Sequence, residues 1–234
     1  MPARKPQEEM PAEVRKQVER LKEPDARTKE DAAFRLSELA HPSAISHLVE
    51  AIQVREKYVA NWRTLHSAVQ ALENTEHPDA TRALLQLLND KRLKVREWAA
   101  ISLATNKQTE AVEPLKKALV ADKRYGMKAM AAWALGEFEE LSAIPQLGQA
   151  LQEKNWDVST NAASALVKIG KGLQGKTVEE KDAKALQLVA KHLQPDEWRI
   201  IAKKALLAAL AGKINEQNAR LYIKQLRAMK GNVK

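Results

Sequence analysis

The residues of this chain that most resemble a reactive site form one glycine-rich run, GKGLQGKT, from Gly170 to Thr177. The run fits G-x4-G-K-[ST], a loop whose backbone amides cradle phosphates while its lysine and hydroxyl meet their charge and the magnesium ion. That chemistry needs a preceding strand, whereas residues 162–169 have the apolar spacing of a helix. We therefore predict a long loop over residues 170–180 that binds an anion and does not hydrolyse a nucleotide. Its candidate residues are Lys171, Gly175, Lys176 and Thr177.

Residues suited to metal binding or acid–base catalysis are scattered. His41 and His77 each precede a proline in equivalent turns, which indicates a repeated turn and not a ligand pair. The chain has no cysteine, which excludes disulfides and thiolate metal sites and is compatible with the cytoplasm. We therefore expect no metal site, no cofactor and no catalytic residue, and we favour a non-enzymatic function while leaving catalysis open.

The positive charge of the chain is concentrated at its C-terminal end. The net charge is +9; residues 1–166 carry 24 basic and 24 acidic side chains, and residues 167–234 carry 15 and 6. This asymmetry indicates an acidic partner, either a protein or a nucleic acid. The alternative is a solvated basic surface that serves solubility.

The elements that must position these residues repeat along the chain. The pattern Ala-Ala-x-x-Leu recurs along the chain, either in full or with only its first alanine. Its leucines are Leu36, Leu72, Leu103, Leu135, Leu166 and Leu206. In the first four repeats a second apolar helix ends 16 residues after that leucine. Each repeat therefore predicts a helical hairpin that is too small to bury its own apolar faces and must stack on its neighbours.

A helix over residues 11–24 precedes the hairpins in this prediction. Its apolar stripe of Val14, Val18 and Leu21 is narrow, as expected of a cap on the first repeat, and residues 1–10 are expected to be disordered. The predicted repeat domain spans residues 25–230. Its units are residues 25–53, 54–90, 91–121, 122–154, 155–194 and 195–230.

Two of these repeats carry a recognisable family pattern. The third unit and the residue just before it have the pattern at Asp90, Val95, Arg96, Ala99, Ala100, Leu103, Ala111, Val112, Pro114, Leu115, Ala118 and Leu119, and the fourth unit repeats much of it from Asp122 to Leu151. The pattern resembles that of HEAT-repeat proteins of the short type found in phycobilisome lyases. The resemblance implies an all-α fold, a right-handed α-solenoid of about six hairpins plus the capping helix. It implies little about function, because solenoids host many activities.

In such solenoids the second helices line a concave face, which is where partners usually bind. The positions two and six residues before the end of each second helix share one side of that helix. We predict a polar binding groove there, although the same pattern fits a merely solvated face. The candidate contact residues are Arg82, Gln86, Lys117, Gln149, Gln187, Lys191, Arg220 and Lys224.

An aromatic residue recurs at the mouth of several of the predicted hairpins. Trp62, Tyr125 and Trp156 each lie ten residues before the aligned leucine. We predict that these rings are buried wedges between repeats. The alternative is an exposed platform for stacking bases or peptides.

The functional hypothesis favoured by the sequence is a non-enzymatic scaffold that binds a protein partner on its concave face. The first alternative is nucleic-acid binding through the basic C-terminal half, in its enzymatic form a HEAT-like DNA glycosylase. The second alternative is a bilin-lyase-like subunit, which the resemblance alone suggests. The sequence has no apolar run long enough for a membrane span and no recognisable signal peptide, so we expect a cytoplasmic protein. It does not indicate an oligomeric state.

Overall fold

The computed structural model describes residues 10–53, 62–150 and 153–172. Every regular element within these ranges is a helix, and the predicted fold class, an all-α solenoid of helical hairpins, is confirmed. The chain divides into two compact units, Met1–Gln108 and Thr109–Lys234.

The helices of unit 1 are α1 (Ala12–Arg20), α2 (Ala26–Leu39), α3 (Ile45–Gln53), α4 (Trp62–Asn74), α5 (Pro78–Leu87) and α6 (Leu93–Thr105). The first helices of successive hairpins pack side by side, α2 on α4 and α4 on α6. The second helices form another layer, in which α3 and α5 pack on each other and on the first helices. Helix α1 packs on α2, and Val14, Val18 and Leu21 are buried, as the apolar stripe of the capping helix predicts.

The helices of unit 2 within the described residues are α7 (Val112–Ala121), α8 (Tyr125–Glu137), α9 (Ile144–Ala150) and α10 (Trp156–Gly172). The first helices α8 and α10 share the largest contact of the unit, and α7 packs on both α8 and α9. Short 3-10 turns precede α3, α7 and α9, at Pro42–Ala44, Thr109–Ala111 and Leu141–Ala143.

The small and large positions of the repeat pattern form the core. The aligned leucines from Leu36 to Leu166 are at most 1% exposed. Each such side chain contributes about 1.5–3 kcal/mol by leaving water. The alanines one turn earlier, such as Ala99 and Ala131, are fully buried and leave room for neighbouring helix backbones. The predicted assignment of these columns to the core is confirmed.

The two His-Pro turns are capping structures. The Nδ1 atom of His41 accepts a hydrogen bond from the backbone N–H of Ser43 at 3.3 Å, and that of His77 accepts one from Asp79 at 3.2 Å. Each bond satisfies an amide at the start of the next helical turn that has no partner within the helix. The interpretation of these histidines as repeated turn residues is confirmed.

The prediction that a loop starts at residue 170 is wrong, because α10 continues to Gly172. Gly170, Lys171 and Gly172 form the last turn of α10, so they cannot belong to a phosphate-binding loop that starts at residue 170. The buried Ile169 and Leu166 fix this end of the helix in the core, and packing of this kind outweighs the roughly 1 kcal/mol by which a helical glycine is disfavoured. Predictions for residues 1–9 and 173–234, including the sixth hairpin, fall outside the described residues.

Candidate partner-binding face

The residues predicted to contact a partner are exposed on the second helices wherever the structure describes them. In four successive second helices the positions two and six residues before the predicted helix end are exposed, while the residues between and beside them are buried or half-buried, except for the exposed Pro114. We call these exposed positions the second-helix face. In unit 1 they are Ser46, Glu50, Arg82 and Gln86, and in unit 2 they are Glu113, Lys117, Pro145 and Gln149.

In unit 1 this face lies on α3 and α5, which pack against each other. Arg82 forms an ion pair with Asp79 one turn earlier, and its side chain remains 72% exposed. The Asp79 carboxylate also lies 3.7 Å from Nδ1 of His77, the residue that caps α5. Because the ion pair is so exposed, it contributes little to stability and leaves the guanidinium accessible to an anionic group.

In unit 2 the face lies on α7 and α9, which also pack against each other. The ammonium group of Lys116 is 2.7 Å from Glu113 and 3.2 Å from the hydroxyl of Ser142, so it ties the start of α7 to the turn before α9. Its neighbour Lys117 is exposed on the second-helix face. The two adjacent lysines therefore differ in role, since one holds neighbouring repeats together and the other faces solvent.

The other predicted contact residues and most of the predicted anion-binding residues lie outside the part of the chain that the structure describes. These are Gln187, Lys191, Arg220 and Lys224, together with Gly175, Lys176 and Thr177. For Lys171 only the helical backbone is described.

The prediction that aromatic residues form buried wedges is wrong. Trp62, Tyr125 and Trp156 are 59%, 54% and 62% exposed. Each is the first residue of its helix, at the start of α4, α8 and α10. Side chains on a helix lean toward its N-terminus, so a ring at the first position points beyond the helix end.

Contacts between repeats also involve residues that the sequence analysis did not select. At the turn before α6, Arg92 pairs with Asp90 and donates a hydrogen bond to the backbone oxygen of Ile52 at 2.6 Å. Arg96 adds a hydrogen bond to the backbone oxygen of Asp90 at 2.8 Å. The hydrogen bonds from Arg92 hold the pKa of Asp90 below its ordinary value, although burial acts in the opposite direction.

A second set of polar contacts joins the C-terminal ends of the first helices. The side-chain amide of Asn74 donates to the backbone oxygen and hydroxyl of Ser37, at 3.0 and 3.1 Å. Asn106 donates to the backbone oxygen of Glu73 at 2.6 Å, and Ser102 donates to the Glu73 carboxylate at 2.7 Å. These bonds satisfy carbonyl groups at helix ends. The recurrence of asparagine two or three residues after the aligned leucine was the signal that could have identified them.

No cluster of three or more histidine, cysteine, aspartate or glutamate side chains that could hold a metal ion occurs among the residues described. No helix in those same ranges is long and apolar enough to cross a membrane.

Comparison with known proteins agrees with this architecture. Residues 58–128 and 112–211 match the family model described as HEAT repeats, and together these ranges cover well over half of the chain. No curated protein matches the sequence.

Solved structures with a similar fold include natural and designed proteins. A designed armadillo repeat protein in complex with the peptide (KR)4 has a TM-score of 0.58 and 20% identity, covering 85% of this chain and 99% of that chain. The complex of CpcE and CpcF of phycocyanin lyase from Nostoc sp. PCC7120 has a TM-score of 0.54 and 19% identity, covering 97% and 98%. At these identities the similarity establishes the fold alone.

Proposed function

Because this chain belongs to the HEAT-repeat family, we propose that it is a non-enzymatic scaffold that binds a protein partner through its second-helix face. The observation that carries the proposal is the regular exposure of that face. The same two positions are exposed in four successive second helices, and the surrounding positions apart from Pro114 are buried or half-buried. Packing of the core explains why the buried positions are apolar. It does not dictate the charge or length of the side chains at the exposed positions.

The composition of the face favours a polar partner with charges of both signs. Glu50, Arg82, Glu113 and Lys117 alternate in sign along the chain. Polar contacts of this kind determine which partner binds and how fast more than they determine affinity. We therefore expect a specific protein partner of moderate affinity that has matching charges.

The test uses the full-length chain and quantitative recovery of its partner from the native host. We expect Arg82→Glu and Lys117→Glu each to lower the recovery of that partner by about tenfold, because a like-charge contact replaces an attractive one. Arg35→Glu is the matched control. Arg35 is an exposed arginine on α2, which is the first helix of its hairpin. Like Arg82, it forms an ion pair with an acidic residue three positions away. Equal recovery with all three variants would exclude the second-helix face as the binding site.

An alternative function is nucleic-acid binding through the C-terminal part of the chain. The specific observation in its favour is the excess of 15 basic over 6 acidic side chains in residues 167–234. Affinity for duplex DNA should then weaken steeply as salt increases, because binding releases counterions from the phosphates. Salt-independent or absent binding contradicts this alternative and leaves the scaffold proposal intact. The fold shared with phycocyanin lyase gives no separate support to bilin transfer.

A further inference from the structure

The exposed aromatic residues of unit 2 occupy a position where folding does not need them. Tyr125 and Trp156 are 54% and 62% exposed at the same repeat position. Trp62 occupies that position in unit 1 and is 59% exposed, so half of the exposed large apolar side chains among the described residues lie there. Large aromatic rings are usually buried because each can remove 150–250 Å² from water. Repeated exposure at one position indicates a role in binding.

The two rings of unit 2 lie on the same edge of adjacent helices. The last turn of α8 lies beside Ala165 and Lys168 of α10, since Gly136 abuts Ala165 and Glu137 pairs with Lys168, and these residues lie at similar distances from the first residues of their helices. The two helices therefore run in the same direction, and their N-terminal ends share the opposite edge. Packed helix axes are 8–10 Å apart, which places the first residues of α8 and α10 on the order of 10 Å from each other.

Basic side chains flank both rings. Lys123 and Arg124 precede Tyr125, Lys154 lies two residues before Trp156, and all three cationic side chains are exposed. We call these five residues the aromatic rim: Lys123, Arg124, Tyr125, Lys154 and Trp156.

Three acidic residues lie near these cations. Asp122 accepts a hydrogen bond from the backbone N–H of Arg124 at 2.8 Å, and Glu153 is 2.5 Å from the ammonium group of Lys128. Asp157, beside Trp156, is an exposed acid at this edge. The charge of Glu153 is balanced by Lys128, whereas Asp122 keeps its charge because a backbone N–H is neutral. Three exposed cations therefore stand against two carboxylates, Asp122 and Asp157, and the excess of one positive charge (3 − 2) makes the rim complementary to an anionic ligand.

We propose that the aromatic rim binds single-stranded nucleic acid. Bases stack on Tyr125 and Trp156, and the three cationic side chains meet the phosphates of the same strand. The unpaired strand is the form that fits, because its bases can leave their own stack and lie on a protein ring. An acidic peptide would satisfy the cations and leave the rings without a flat partner. This inference does not rest on the scaffold function, which uses the other layer of helices.

The proposal is tested by fluorescence anisotropy of labelled oligouridylate and oligothymidylate titrated with the full-length chain at low and moderate salt. Base stacking on an aromatic side chain corresponds to a loss of about fivefold or more in affinity when the ring is removed. We expect that loss for Tyr125→Ala and for Trp156→Ala, while Trp156→Phe retains most of the affinity. Phe34→Ala is the matched control, because Phe34 is an exposed ring on α2 outside the rim.

Several results would overturn the proposal. One is the absence of binding to both oligonucleotides at low salt. Another is unchanged affinity in the Tyr125→Ala/Trp156→Ala variant, which would assign binding to other basic residues, such as those beyond residue 166. A third is that poly-glutamate displaces the oligonucleotide and that its own binding is weakened to the same extent by removing the two rings. That result would identify an acidic-peptide site. Circular dichroism and thermal unfolding of each variant separate lost binding from lost folding.

Discussion

Asp90 and Arg92 form a two-point ion pair at the turn between α5 and α6. Nε of Arg92 is 2.9 Å from Oδ1 of Asp90, and Nη2 is 2.8 Å from Oδ2. The same guanidinium reaches the backbone oxygen of Ile52, near the end of α3 in the first hairpin. One charged pair therefore shapes the turn between α5 and α6 and ties it to the end of α3 in the first hairpin.

Replacing the carboxylate with Asp90→Asn should lower the free energy of unfolding by about 1–2 kcal/mol at pH 7, because charge-assisted hydrogen bonds are lost. The pKa of Asp90 is lowered in the folded protein, chiefly by hydrogen bonds from Arg92. Its contribution is therefore complete above the unfolded-state pKa near 4 and is lost as the pH falls through the lower folded-state value. Urea unfolding at pH 7 and pH 3 should show that wild type and variant converge in acid.

A double-mutant cycle with Arg92→Gln separates the pair from the rest of the turn. We expect a coupling free energy of about 1 kcal/mol at pH 7 that shrinks at pH 3. Additive effects of the two substitutions at both pH values would show that the ion pair contributes nothing of its own.

Gly136 is a position in α8 where α10 packs directly against the helix backbone. A Cβ atom added there would lie 2.6 Å from the Cα of Ala165 and 2.7 Å from its Cβ. Gly136→Ala should therefore lower the free energy of unfolding by about 1–3 kcal/mol, even though alanine is otherwise the better helix former. Thermal and urea unfolding measure the change.

Ala165→Gly provides the control for this contact. Combined with Gly136→Ala it should restore only part of the lost stability, because the backbone Cα of residue 165 still obstructs the new Cβ. Full restoration would mean that only the two methyl groups collide. A Gly136→Ala variant as stable as wild type would show that the two helices can separate without a measurable loss.

Three first helices end with a non-glycine residue in the left-handed conformation. Ala40, Lys107 and Glu139 have φ values of 47°, 52° and 53°, and each follows its aligned leucine by four residues. This conformation costs an ordinary residue about 1–2 kcal/mol and costs glycine almost nothing. Glycine also gives the unfolded chain more conformational entropy, which offsets part of this gain. We therefore expect Ala40→Gly, Lys107→Gly and Glu139→Gly each to raise the free energy of unfolding by about 0.5–1 kcal/mol.

Glu76 supplies the matched control for these glycine substitutions. It also lies four residues after an aligned leucine, but it is not among the described residues with positive φ. Glu76→Gly should therefore be neutral or destabilising in the same urea titration. Stabilisation by Glu76→Gly as well would attribute the effect to something other than the left-handed backbone.

The sequence predicted the parts of this protein that depend on apolar periodicity. Ala99 and Leu103 are fully buried, as their positions in the repeat require. A hairpin this small can bury its apolar side chains only by stacking them on neighbouring hairpins. The predicted ends of the described second helices agree with the structure to within two residues. Exposure of Arg82 and Lys117 follows from the same periodicity, since the side of a helix opposite its core must face solvent.

Other features depend on helix ends and on contacts between repeats, which periodicity does not describe. Burial of Trp156 was predicted from its size, but its place at the first position of a helix directs the ring outward. The hydrogen bond from Arg92 to the backbone oxygen of Ile52 joins residues 40 positions apart. Every residue has such a backbone oxygen. Sequence alone does not distinguish that carbonyl from its neighbours.

The asparagine at the end of α4 offers the sharpest test of the polar contacts between first helices. Asn74 donates to both the backbone oxygen and the hydroxyl of Ser37, and Ser37 is buried. Asn74→Ala leaves the buried hydroxyl and carbonyl without this donor, so we expect a loss of about 1–3 kcal/mol in urea unfolding. Removing both partners with Asn74→Ala/Ser37→Ala should cost less than the sum of the single changes, because no buried hydroxyl is left unpaired. Additive losses would mean that the two side chains act independently and that the contact does not bind one repeat to the next.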